Sequence, residues 1–318
     1  MPVIVADGLR KRFGEAIAVD GLSFSVAPGS ILGLLGPNGA GKTTTIKLLT
    51  TLLPADGGSA SVAGFDVGTD ARMVRRSIGL AGQSAALDDK LSPRQNLDLF
   101  GRLYHLPGPQ RRARVEELLE RFDMADYAGR PAETLSGGQR RRLDLVAALI
   151  ADPPAIFLDE PTTGLDPRGR STLWEQIRAI RDDGAAVVLT TQYLEEADRL
   201  ADAIVVIDRG RAVAAGTAAE LKARLEQDVL EIVLAGPADL DAALAALGGD
   251  AVTPIADHAL QLTVSSAADS VAALRRLEAA GVRITDFQLR RPTLDDVFIE
   301  LTGEPAVHPR SNEPEELS

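Results

Sequence analysis

Eight consecutive residues, Gly36-Pro-Asn-Gly-Ala-Gly-Lys-Thr43, fit the pattern G-x-x-x-x-G-K-[ST] in full. An apolar strand-like run, ILGLLG over 31–36, precedes them, and a helical pattern opens at Lys42. That is the setting in which such a loop binds phosphate. The glycines allow backbone angles that turn several N–H groups inward, beside the positive end of the helix. Gly36, Pro37, Asn38, Gly39, Ala40 and Gly41, with Lys42, Thr43 and Thr44, are therefore the candidate phosphate cradle. Lys42 reaches toward β- and γ-phosphates, and the Thr43 hydroxyl can ligate Mg²⁺. This chemistry points to a nucleoside triphosphate without saying which machine uses it.

Three further segments narrow the reading. Leu135-Ser-Gly-Gly-Gln139 opens an arginine-rich helical stretch, QRRRLDLVAALI, and alone would read as a serine N-cap beside a glycine hinge. Ala155-Ile-Phe-Leu-Asp-Glu160 is an apolar strand ending in two carboxylates, and Gly164-Leu-Asp-Pro167 follows it. Taken in order, the P-loop, LSGGQ, LDE and GLDP resemble the ATP-binding subunit of ABC transporters, over about residues 3–222. The resemblance implies ATP and Mg²⁺ as ligands. It implies that Asp159 belongs to the Mg²⁺ shell with Thr43, and that Glu160 is the general base for water. It gives Gln83, in Gly79-Leu-Ala-Gly-Gln83, a place beside the metal or the attacking water, and Phe13 a place on the adenine ring. A phenylalanine in that register could also be core packing, and Gln83 could be an ordinary polar loop residue.

In that family Ser136, Gly137, Gly138 and Gln139 act on ATP held by the opposite subunit. One P-loop and one LSGGQ per chain then imply a homodimer, or a heterodimer with a related ATPase, sandwiching two ATP. A separate transmembrane permease is the implied partner, which places the chain on the cytoplasmic face of the membrane. At one position the match departs: the segment after the strand AAVVLTT carries Gln192 where the family usually has histidine. An amide can donate a hydrogen bond to a γ-phosphate but cannot act as a cation. Gln192 is kept as a candidate catalytic residue with Lys42 and Glu160. The stretches TTQYLEEAD, Gly82–Asp88 and Arg291–Gly303 resemble the antibiotic-resistance exporter subgroup, typified by the daunorubicin/doxorubicin exporter ATPase. That implies export of a hydrophobic small molecule, with lipid, polysaccharide or imported cargo as the alternative and a soluble non-transport ATPase behind it.

These residues need a scaffold. Near-continuous apolar runs at 31–36, 155–159, 185–190 and 203–208 suit strands buried on both faces of a mainly parallel sheet. Helical patterns cover Lys42–Thr51, Arg111–Arg121, Gln139–Ala151, Arg168–Asp182 and Leu194–Leu200. Val3–Arg10, Ala16–Val26 and Ser59–Val62 read as an antiparallel edge. The expected fold is α/β: a RecA-like core with an antiparallel β edge and a helical subdomain over 1–222. A small ferredoxin-like unit over 228–302, ordered β-α-β-β-α-β-α, serves regulation or assembly. A polar, acidic tail over 303–318 reads as disordered. The last helical stretch of the 228–302 unit, with Leu294, Val297, Phe298 and Leu301 at helical spacing, reads equally as a closing helix.

Composition excludes other classes. With no cysteine in 318 residues, thiol catalysis and iron–sulfur or cysteine-zinc sites are ruled out. His105, His258 and His308 have no ligand spacing. A net charge of −12 argues against nucleic acid as a partner. No run of 18 apolar residues spans a bilayer, and MPVIVADGLRKRF lacks the pattern of a signal peptide.

Overall fold

The computed structural model describes residues 1–82, 87–225, 228–248 and 252–302. The described chain divides into two compact units, Met1–Ala218 and Ala219–Glu300.

The first unit is built on two sheets. Strands β1 (Ile4–Phe13), β2 (Ala16–Val26), β4 (Gly57–Val62) and β5 (Phe65–Asp66) form an antiparallel sheet in the order β2-β1-β4-β5. The early strands therefore make a sheet of their own. The second sheet holds β3 (Ile31–Leu35), β6 (Ile78–Ala81), β7 (Ala155–Asp159), β8 (Ala186–Thr191), β9 (Ala203–Asp208) and β10 (Arg211–Gly216). Its order is β10-β9-β3-β8-β7-β6, parallel throughout except for the edge strand β10.

Every residue of β3, β7 and β8 is buried, because apolar side chains pack on both faces. Ile156, Leu158 and Leu189 point into one core, with Leu97, Leu118, Phe122, Leu143 and Trp174. Phe157, Val188 and Leu34 point into the other, with Ile4, Leu9, Leu22 and Ile46. Alternate residues of one strand thus close two cores.

Helices α1 (Lys42–Leu49) and α2 (Ala71–Arg76) join the early strands to β6. Between β6 and β7 come α3 (Pro93–Leu103), α4 (Gly108–Arg121) and α5 (Gly137–Ala148), the helical subdomain. Ser92 and Gln95 form a capping box that starts α3, with a proline in its first turn. The rest of the unit adds α6 (Pro167–Asp182) and α7 (Leu194–Leu200), while α8 (Ala218–Ala223) falls, but for its first residue, in the second unit.

The second unit runs β11 (Asp228–Leu234), α9 (Leu240–Leu247), β12 (Val252–Ala256), β13 (Ala259–Val264), α10 (Ala267–Ala279), β14 (Ile284–Arg290) and α11 (Leu294–Thr302). All its strand pairs are antiparallel, in the order β12-β13-β11-β14. Leu230, Ile232, Leu260, Ala273 and Leu277 close a separate core beneath α9 and α10. This is the split β-α-β arrangement expected from the element order. Among the described residues no helix is long and apolar enough to cross a membrane.

Candidate nucleotide-binding site

Strand register gathers the site. Leu35 pairs with Thr191, Asp159 with Thr190 and Leu158 with Ala81. The loops after β3, β6, β7 and β8 therefore leave the same carboxyl-terminal edge of the sheet, where open α/β sheets place ligands.

The P-loop leaves β3 at Gly36. A Cβ on Gly36 would stand 2.2 Å from the carbonyl oxygen of Ile207, and one on Gly41 would stand 2.3 Å from that of Ala18. Gly41 also has φ +111°, in the region that favours glycine. Backbone from β9 and β2 thus fixes the loop from both sides. Pro37 is half-buried, Asn38 and Gly39 are exposed, and Ala40 is buried. No side chain caps α1, so its first N–H groups are left for a ligand. Thr44 lies half-buried in its first turn.

Lys42 is 5% exposed, and its Nζ donates to the carbonyls of Gly36 (2.7 Å) and Pro37 (3.1 Å). Burial lowers its pKa, while the negative charges of Glu160 and Asp159 work against that fall. The cation is desolvated, an environment in which an incoming phosphate gains strongly.

Asp159 is buried at the end of β7, where its Oδ1 accepts from Thr190 Oγ1 (2.6 Å) and Thr43 Oγ1 (3.1 Å). A hydroxyl and a carboxylate side by side are hard oxygen donors of the kind Mg²⁺ takes. Glu160 follows with φ +52°. Its N–H donates to both the carbonyl and the hydroxyl of Thr190 (3.1 Å each), and its Oε2 accepts from Thr163 Oγ1 at 3.4 Å. Gln192 is half-buried one residue past the end of β8 and two beyond Thr190, the register partner of Asp159.

The signature lies at the head of α5. Ser136 Oγ accepts from the Gln139 N–H (3.3 Å), and Gln139 Oε1 accepts from the Ser136 N–H (3.0 Å). The glutamine of LSGGQ is thus held by a capping box, which its sequence reading as a nucleotide contact did not include. A Cβ on Gly137 or Gly138 would meet nothing within 4 Å. Phe13, at the end of β1, is 50% exposed, with Lys11 Nζ 5.7 Å from its ring centre, so it is not core packing. Gln83 lies outside the described residues.

Four residues were missed in the sequence. Thr190 anchors both carboxylate residues. Arg141 grips the loops after β6 and β7 with its guanidinium. Glu196 is completely buried, with its Oε1 accepting from the Trp174 indole (3.2 Å), and burial pushes its pKa up to about 7. Asp144, beside Arg141, is pushed up to about 6 for the same reason.

A loop with no room for a Cβ at Gly36 or Gly41, an uncapped helix start, a desolvated lysine and a hydroxyl–carboxylate pair define a P-loop nucleoside triphosphatase. Comparison with known proteins places it further. Residues 19–163 match the ABC transporter family, and residues 216–302 match the C-terminal domain of proteins described as ATP-binding protein DrrA1-3-like. The chain is 52% identical to the daunorubicin resistance ATP-binding protein DrrA3 of Streptomyces coeruleorubidus, over 95% of this chain and 96% of that one. It is 40% identical to the Nod factor export ATP-binding protein I of Ralstonia nicotianae, over 95% and 94% of the two chains. Among solved structures, the ATP-binding subunit of an ABC transporter superposes with a TM-score of 0.64 at 27% identity, covering 70% of this chain and 92% of that one. The chain belongs to the ABC transporter family, as an ATP-binding, ATP-hydrolysing subunit with the C-terminal domain of the drug-resistance branch.

Proposed function

We propose that the chain drives export of a hydrophobic small molecule through a separate membrane permease, by ATP-dependent closure of two ATPase chains on each other. The observation that carries this reading is the contrast between its glycine-rich sites: the P-loop is built tightly into its own chain, whereas Gly137 and Gly138 face open space. Glycine in a helix interior costs up to about 1 kcal/mol relative to alanine. Gly137 and Gly138 open α5, and among the described residues nothing lies where a Cβ on either would go, so we infer that a second chain's nucleotide approaches there.

In this reading Phe13 stacks on the adenine, and the N–H groups of the P-loop and α1 hold the phosphates. Lys42 leaves the Gly36 and Pro37 carbonyls for the β- and γ-phosphates. Mg²⁺, which would neutralise phosphate charge, would be held by Thr43 and Asp159, and the family resemblance gives Gln83 a role toward it. Glu160 takes the proton from the attacking water, and Gln192 donates to the γ-phosphate. Ser136 and the amides of Gly137 and Gly138 close the opposite side. Loss of the γ-phosphate removes the charge that holds the chains together.

The drug-resistance relative supports antibiotic cargo. The Nod factor export relative, aligned over nearly the whole chain, supports the second reading, another exported molecule. Residues 228–302 are assigned to assembly or regulation, which predicts that a chain cut after Leu225 still binds ATP but no longer co-purifies with the permease. The sandwich itself is tested by Glu160→Gln, which keeps the shape and loses the base. Size-exclusion chromatography with ATP and Mg²⁺ should then show a stable dimer. A strictly monomeric, still active variant contradicts the reading.

A further inference from the structure

Arg141 lies just over one turn into α5, five residues after Ser136, with its side chain 16% exposed. Its Nε donates to the Pro161 carbonyl (2.5 Å) and its Nη1 to the Gly82 carbonyl (2.7 Å). Its Nη2 donates to the carbonyl of Glu160 and, at 3.4 Å, to that of Asp159. The Asp144 carboxylate stands 3.7 Å from Nη1. One guanidinium thus holds four backbone carbonyls, three of them in the sequence Asp159-Glu160-Pro161 and one at the exit of β6. A planar fork of five donors suits such a set, and the three donors of a lysine ammonium, radiating from one point, do not.

The residue that most needs this grip is Glu160. Its φ of +52° is unusual for a side chain larger than glycine and persists only where the surroundings over-determine it. Thr190 fixes its N–H from β8, and Arg141 fixes its carbonyl from α5. The peptide that carries the carboxylate is clamped between a sheet strand and the helix whose first residues are the signature. A shift of α5 is therefore transmitted to the carbonyl of Glu160 through the Arg141 guanidinium.

We propose that Arg141 is a positioning residue for hydrolysis, tying the Glu160 carboxylate to the signature helix so that engagement of α5 by a second molecule's nucleotide sets the base in place. The proposal rests on the sandwich reading above. Its consequence is that each chain's own hydrolytic site responds to the site its signature completes, through a single helix.

The test is steady-state hydrolysis by the full chain as ATP is varied. Arg141→Lys keeps the charge but not the fork, and Arg141→Gln keeps two planar donors. We expect Arg141→Lys to lower kcat about 10- to 100-fold with KM within about twofold, and to bring the Hill coefficient toward one. Arg141→Gln should recover part of kcat. In a Glu160→Gln background, Arg141→Lys should add almost nothing to the loss, because both substitutions act through the same carboxylate. Melting temperature and ADP affinity check that each variant is folded. Wild-type kcat, a loss carried by KM, an unchanged Hill coefficient, or a full multiplicative loss in the double variant would each overturn the proposal. Failure of Glu160→Gln to dimerise with ATP would count against the sandwich itself, whereas the kcat–KM split and the double variant test the clamp within one chain.

Discussion

The two glycine-rich segments of the nucleotide site solve opposite problems. In the P-loop, Gly36 and Gly41 are required by their own chain, since backbone carbonyls stand where a Cβ would go. In the signature, Ser136 and Gln139 satisfy each other, and a Cβ on Gly137 or Gly138 would meet nothing. The first segment is a finished anion site. The second has the outline of half a site, and in the proposed reading a second chain's nucleotide supplies the other half.

Substitution at the two glycine pairs breaks that comparison with the largest effect. Gly41→Ala places a methyl against the Ala18 carbonyl at a φ alanine rarely adopts, and should cost on the order of 3 kcal/mol or more. In a unit of this size that lowers the melting temperature by about 10 °C and removes ATP binding. Gly137→Ala should leave the melting temperature unchanged or slightly higher, because alanine favours the helix. Its ATP turnover should fall at least about tenfold, since the methyl stands where the second nucleotide must approach. Equal melting losses at both positions would remove the distinction. Calorimetry and phosphate release measure both quantities.

A smaller effect separates the site from the core beneath it. Burial raises the pKa of Glu196 from 4.5 to about 7, against the hydroxyls of Thr191 and Thr162, the Trp174 indole and the charge of Arg141. The folded state therefore holds a proton that the unfolded chain releases at lower pH. Its stabilising contribution is complete below about pH 4.5 and is lost as pH rises through about 7. A shift of that size corresponds to roughly 3 kcal/mol. Glu196→Gln should melt close to wild type at pH 5 and clearly above it at pH 8. A constant difference across that range would show that Glu196 is ionised in the fold.

The smallest expected effect concerns Gln192. Losing one neutral hydrogen bond to the γ-phosphate should cost about 1–3 kcal/mol in the transition state, or about 5- to 150-fold in rate. Gln192→Ala should slow hydrolysis and leave ADP affinity unchanged, because ADP lacks that phosphate. Hydrolysis at the wild-type rate would make the residue a spacer after β8.

Much of this site was legible in the sequence because its chemistry is written in contiguous motifs. The P-loop, the strand ending in Asp159 and Glu160, and the signature each carry their meaning within a few residues. The buried parallel strands were legible for a similar reason, as continuous apolar runs. The four-residue β6 was too short to stand out, although it brings Gly82 beside β7. Helix α3 had a readable start in Ser92, Pro93 and Gln95 that was passed over. Arg141 and Thr190 could not be singled out. One sits in a run of three arginines whose inward member depends on helix phase, and the other gains its role from strand order. The capping role of Gln139 was written in the spacing S-x-x-Q, and the motif's functional meaning hid it.

Mixing two inactive chains tests the central claim most directly. A Glu160→Gln chain keeps a good signature but has no base. A Gly138→Asp chain keeps a good P-loop and base but sets a carboxylate where the second chain's phosphate must sit. If the site is shared between chains, a mixed dimer contains one complete site, built from the P-loop of the second variant and the signature of the first. The mixture should then hydrolyse ATP well above the sum of its components, rising to a maximum near equal amounts. Activity that never exceeds that sum at any ratio would show that each chain completes its own site.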